Sequence, residues 1–158
     1  MSKILKQANR QLWLFGLFKI PLLWFCSPKI IELDDERIVV RIKLKRRTRN
    51  HLNSLYLGAF AIGADIAGGF QAFYLGVKHK RKISLAFKNL NCEFLKRAED
   101  DVCFVSESGA EIMELVETSK ATGERQNMNV PIQAFTGYPA NPELVAEFNI
   151  GLSIKDKT

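Results

Sequence analysis

The stretch YLGAFAIGADIAGGF, Tyr56 to Phe70, holds one charge, Asp65, in an otherwise apolar and glycine-rich run. Burying an unpaired carboxylate costs several kcal/mol, so Asp65 either finds a partner or is kept for its chemistry. The run continues to Val77 and approaches the length of a bilayer span. Asp65 and Gln71 in its interior, five glycines, and basic residues at both ends without sidedness argue against insertion. A helix that is apolar all round is equally the central helix of a globular fold, wrapped by a sheet.

The surrounding sequence decides for the second reading. Ile38, Val40, Ile42 and Leu44 alternate with Val39, Arg41 and Lys43, the pattern of a strand with one buried face, and residues 29–33 before the Asp34-Asp35-Glu36 turn form its hairpin partner. After the helix, Ile83, Leu85 and Phe87 share a face. Leu90, Cys92 and Phe94 continue that face one residue out of phase, which predicts a bulge near Lys88 and Asn89. A short strand follows at 101–106. The helical spacing of Ile112, Met113, Leu115 and Val116 predicts a helix over 111–119, with Gly123 as its terminator. Two more strands are expected around 127–134 and 146–154, with Pro131 marking an edge or bulge in the first. The fold class is therefore α+β, an antiparallel sheet wrapped around the helix at 55–75.

The first 28 residues are expected to form a helical cover, and residues 29–158 a single domain. The stretch from Leu12 to Phe25 is broken by Lys19 and Pro21 and is too short to span a bilayer. Leu12, Leu14, Phe15, Leu17 and Phe18 are taken as the covering face; a peripheral membrane foot is the weaker alternative.

The formal charge is +6 over 158 residues, and the basic residues cluster on either side of the long helix: Lys43, Lys45, Arg46, Arg47 and Arg49, then Lys78, Lys80, Arg81 and Lys82. Such clusters suit a polyanion. No interleaving of aromatic and basic residues of the single-strand-binding kind accompanies them, so nucleic acid is not expected as a partner. Three cysteines, Cys26, Cys92 and Cys103, make a disulfide framework unattractive and fit a reducing cytoplasm. With only His51 and His79, no metal centre is expected.

A curved antiparallel sheet around one long buried helix is the hotdog architecture, and the sequence leading into the helix resembles the hotdog acyl-thioesterases of the phenylacetate-degradation type. Their pattern has an Asn, a His six residues on, then Gly-Gly and an acidic residue seven after the second Gly. Asn50, Gly58 and Asp65 occupy the Asn, second Gly and acidic positions, while Tyr56 stands for the His and Leu57 for the first Gly. The run Asn91 to Ala98 looks like the strand after the helix, with Arg97 where the family has Pro. The segment from Gly109 to Gly123 and the ending AxFxxxLSI are similar to a branch of the superfamily known as a domain of unknown function. A Ser or Thr that positions water in some relatives falls near Phe87.

The resemblance implies hydrolysis of an acyl thioester carried by coenzyme A or acyl carrier protein, with coenzyme A entering as part of the substrate and no separate cofactor. Asp65 would be base or nucleophile, the Gly58 amide the oxyanion donor, and Asn50 a polar contact to thioester or water. Tyr56 and His51 are expected to touch substrate, and Lys80, Arg81 and Lys82 to grip the coenzyme's phosphates. Gly58 and Asp65 lie ~10 Å apart along one helix. The mechanism therefore requires a homodimer, which a dimer of dimers would extend, with Gly58 from one subunit and Asp65 from the other. A non-catalytic domain binding an acyl chain or lipid is the alternative. The hydratase branch is disfavoured because its Asp-x-Asn-Pro-x-His motif is absent.

Overall fold

In the computed structural model, which describes residues 2–158, Ser2 opens the first helix by accepting a hydrogen bond at Oγ from Leu5 N–H at 3.2 Å. This helix, α1 (Lys3–Phe18), stops before Lys19, and Pro21 starts a short second helix, α2 (Pro21–Cys26), at the position where its missing N–H costs nothing. The hairpin β1 (Lys29–Leu33) and β2 (Ile38–Ile42) turns through Asp34, whose Oδ1 accepts from the N–H groups of Glu36 and Arg37 at 2.9 and 2.8 Å. Then come α3 (Leu57–Lys78), β3 (Ile83–Phe94), β4 (Val102–Ser106), α4 (Gly109–Thr122), β5 (Gln126–Thr136) and β6 (Glu143–Asp156).

The strands form one antiparallel sheet in the order β1-β2-β4-β5-β6-β3. It curves around α3, which is long and apolar enough to cross a bilayer but has 67% of its most apolar window buried inside the protein. Small residues let the helix approach the sheet. A Cβ on Gly63 would fall 2.2 Å from the Phe104 ring of β4, and one on Gly68 would touch Ile132 and Ile150 of β5 and β6. Ala64, Ala67 and Ala72 are fully buried for the same reason.

The bulge lies between Phe87 and Asn89, and Asn89 Oδ1 accepts from Gly151 N–H across it at 3.1 Å. It returns Leu90, Cys92 and Phe94 to the inner face. Pro131 pairs with Asn149 of β6, but the β4–β5 ladder has already ended at Val105 and Gln133, so β5 lacks a neighbour on that side at the proline. Gly123 closes α4 in the left-handed conformation, φ 70°.

The two edges of the sheet differ. On β1, Asn9 of α1 accepts from Ile30 N–H at 2.9 Å and donates to Ile30 O at 2.8 Å, so one side chain ties the helix to the strand. At the other edge β3 has no partner beyond β6 among the described residues, and Phe87, Leu90 and Phe94 on its inner face are exposed.

The N-terminal segment differs from the expected cover in one respect. α1 meets the domain through the narrow stripe Ala8, Leu12 and Gly16, while Leu14, Phe15, Leu17 and Phe18 are exposed. Residues four apart stack on one helix face, so the stripe that contacts the sheet turns the larger side chains outward.

Candidate functional site

The loop before α3 is stiffened from within. Thr48 Oγ donates to Lys43 O at 2.7 Å and accepts from Lys45 N–H at 2.9 Å. Asn50 Oδ1 accepts from Leu52 N–H at 2.9 Å, and from Ser54 N–H and Ser54 Oγ, each at 3.2 Å. Its Nδ2 has no acceptor among the described residues and is the part left for a ligand. His51, at the tip of this turn, is exposed, and its side chain makes no hydrogen bond to a described residue.

The turn delivers Tyr56 in an extended conformation as the last residue before the helix, without a side-chain cap. The N–H groups of Leu57, Gly58 and Ala59 consequently donate to nothing within the described chain. They sit at the positive end of a 22-residue helix and are suited to hold an anion or a developing oxyanion. The Tyr56 ring folds back over Gly58: a Cβ there would lie 2.7 Å from Tyr56 Cε1, so the glycine makes room for the ring against the first turn.

Asp65 lies two turns deeper, on the Gly58 face and ~10 Å along the axis. It is half-buried, with no hydrogen bond or ion pair to any described residue, and burial pushes its carboxyl up to about 6. One turn further on, the Phe87 ring of β3 covers Gly69, with its Cζ 2.7 Å from where a Cβ would be. The position expected to carry a water-orienting hydroxyl therefore presents an aromatic ring.

A cleft of about 490 Å³ opens between the α3-leading loop and the end of β3, lined by Asn50, Leu52, Leu57, Phe60 and Phe94, with Leu95 to Ala98 closing one side. Asn50 and the start of α3 thus share a cavity that Asp65 of the same chain does not line. Lys96 and Arg97 are the cations of this cleft, and the sequence reading did not assign them to the site. The Leu95 and Lys96 N–H groups both pair with Val145 O of β6, and Leu55 N–H donates to Ala98 O at 2.9 Å, which ties this segment to the loop before α3. Lys96 also forms an ion pair with Glu143.

Lys80, Arg81 and Lys82 lie at the opposite end of α3, ~30 Å from Gly58. Arg81 is committed within the chain, pairing with Glu117 Oε1 at 2.6 Å and facing Asp156 Oδ2 at 3.9 Å. Lys80 and Lys82 are the members of the turn with exposed, unpaired side chains among the described residues. A larger recess of about 670 Å³ is bounded by β3, β5, β6 and the start of α4. Its lining has four carboxylates, Glu93, Glu107, Glu111 and Glu147, and no cation, so it would repel a phosphorylated coenzyme.

Residues 9–154 match the family described as a domain of unknown function, DUF4442. The chain belongs to the DUF4442 family. Among curated proteins, none matches it. Solved structures agree over almost the whole length. A Chlorobaculum tepidum protein of unknown function superposes with a TM-score of 0.81 at 12% identity, covering 96% of each chain. A Pseudomonas aeruginosa protein described as a probable thioesterase gives 0.76 at 19% identity, covering 96% of this chain and 95% of its own. A Haemophilus influenzae thioesterase gives 0.64 at 13% identity, covering 99% and 93%. These likenesses, with the sheet wrapped around α3, make this DUF4442 chain a hotdog protein, of the branch of unknown function that its ending and its α4 insertion resemble.

Proposed function

We propose that the protein hydrolyses acyl thioesters, carried by coenzyme A or acyl carrier protein, at a site formed between two subunits. The observation that carries the reading is an unpartnered, half-buried carboxylate, Asp65, on the same helix face as the uncapped amides at Gly58. A carboxylate poised near 6 is ionised at neutral pH yet basic enough to take a proton from water. Water oxygen attacks the thioester carbon as its proton passes to Asp65, and the Gly58 N–H receives the developing oxyanion. Collapse breaks the C–S bond, and the thiolate leaves with a proton returned from Asp65.

The ~10 Å between Gly58 and Asp65 on one chain exceeds the reach of a single thioester. Two-fold pairing would set the amide end of one helix beside Asp65 of the other. The unpaired β3 edge and its exposed Phe87, Leu90 and Phe94 support such pairing. Asn50 Nδ2 would contact the thioester, and Tyr56 and His51 the acyl or pantetheine portion. Lys96, Arg97, Lys80 and Lys82 supply charge for phosphates. The cysteines are free thiols, which supports a reducing, cytoplasmic setting.

A second reading, a binding domain for acyl chains without hydrolysis, is favoured by Phe87 standing where a hydroxyl was expected. Acyl thioesters from acetyl to palmitoyl, followed by release of free thiol, separate the two. The wild type should release thiol and Asp65→Asn should lose at least ~100-fold, the scale of a lost general base. Wild-type protein that binds an acyl thioester and hydrolyses none overturns the hydrolase reading in favour of the second.

A further inference from the structure

The exposed large apolar side chains fall into two groups: one on α3, β3 and the loop before α3, and one on the hairpin of α1 and α2. The second group has no role in the thioesterase reading. Phe18 is 72% exposed, Leu22 59%, Trp13 52% and Phe15 49%, with Phe25 and Trp24 close behind. These are the residues that normally bury themselves, and so many on one short hairpin mark an interaction surface. The hairpin is closely packed, because Gly16 meets the backbone of α2: a Cβ there would fall 2.9 Å from Trp24 N.

The charges of this hairpin are of one sign. Lys3, Lys6, Arg10, Lys19 and Lys29 lie in residues 2–31, and the first carboxylate of the sequence is Glu32. The Arg47 guanidinium stands 5.9 Å from the centre of the Phe25 ring, which brings the basic loop of Lys45, Arg46, Arg47 and Arg49 beside the hairpin. No carboxylate occurs between Glu36 and Asp65.

From this we infer that the α1–α2 hairpin is a foot that docks the protein on an anionic bilayer surface. The aromatic tip enters the boundary between headgroups and acyl chains, the tryptophans sit at headgroup level, and the basic loop faces the lipid phosphates. Lys19 reaches back to the headgroups along its aliphatic stem. A second copy of the chain is the poorer occupant, since a two-fold contact through this tip would set the same basic rim against itself. The inference does not depend on the reaction. The loop that carries Arg47 also carries Leu52 and Asn50 of the cleft, so a docked protein would hold that loop at the lipid surface.

Trp13 and Trp24 are the only tryptophans of the chain, so intrinsic fluorescence reads the foot directly. Phosphatidylcholine vesicles containing phosphatidylglycerol should shift the emission of the full-length protein to the blue and allow quenching by brominated acyl chains, with affinity falling as salt rises. Phe15→Ser with Phe18→Ser removes exposed rings, so the thermal melt should stay in place while vesicle affinity drops roughly ten-fold or more. Arg46→Gln with Arg47→Gln should cost roughly 30-fold, at constant apolar surface. Emission unmoved by vesicles overturns the inference, as does equal, salt-independent binding to pure phosphatidylcholine. It is also overturned if emission is already blue without vesicles and follows an increase in mass that Phe15→Ser with Phe18→Ser abolishes; the occupant is then a second copy.

Discussion

Gly63 of α3 and Phe104 of β4 are in direct contact: a methyl group on Gly63 would lie 2.2 Å from Phe104 Cε2, inside the ring's own volume. Phe104 is fully buried and held edge-on by Phe60, with ring centroids 5.9 Å apart, and beside Phe148 at 6.1 Å. It cannot swing aside. Gly63→Ala should therefore destabilise the fold by about 1–3 kcal/mol through overpacking and lower the melting temperature by several degrees. An unchanged melt would mean that α3 does not sit this close to β4.

The raised Asp65 carboxyl carries two pH effects. Thioester hydrolysis should rise with pH through about 6 and level off above it, as the base ionises. Stability runs the other way. Between the ordinary value of 3.8 and about 6, the folded chain holds a proton that the unfolded chain has released, so stability falls as pH rises through that window and is flat above it. Urea denaturation across the window should show this slope in the wild type and lose it in Asp65→Asn.

The basic turn should divide by residue. Arg81→Gln removes the partner of Glu117 and Asp156 and is expected to cost about 1–3 kcal/mol of stability. Lys80→Gln with Lys82→Gln should leave the melt unchanged but weaken binding of a coenzyme A thioester and flatten its salt dependence. Affinity and salt dependence in this double variant equal to those of the wild type would leave Lys96 and Arg97 as the remaining candidates for the phosphates.

Subunit pairing is the condition of the composite site. Leu90→Glu on the exposed β3 edge should convert a dimer into a monomer and abolish hydrolysis, although Leu90 is remote in sequence from Asp65 and Gly58. Light scattering checks the mass, and a wild type that is already monomeric at micromolar concentration removes the composite mechanism.

The order of elements is legible in the sequence because periodicity is a local property. Alternation over 38–42 and 146–154, helical spacing over 111–119 and the phase slip at Lys88 each follow from which residues must face an apolar interior. Asp65 stood out for the same reason, as a lone charge in a run that had to be buried. The face that a helix turns to its neighbours is not local. Of the expected covering residues Leu12 is buried, in one stripe with Ala8 and Gly16, while Leu14, Phe15, Leu17 and Phe18 face out, since residues four apart share a helix face and Gly16 lets α2 pack close. Lys96 and Arg97 entered the cleft, and Arg81 left the candidates for phosphate, through contacts with residues tens of positions away. Local pattern was enough to specify the α+β class, the buried central helix and its single acid. The tertiary structure decided which cations are free, which edge is open and which apolar side chains face out, since those depend on surfaces that meet only when the chain has folded.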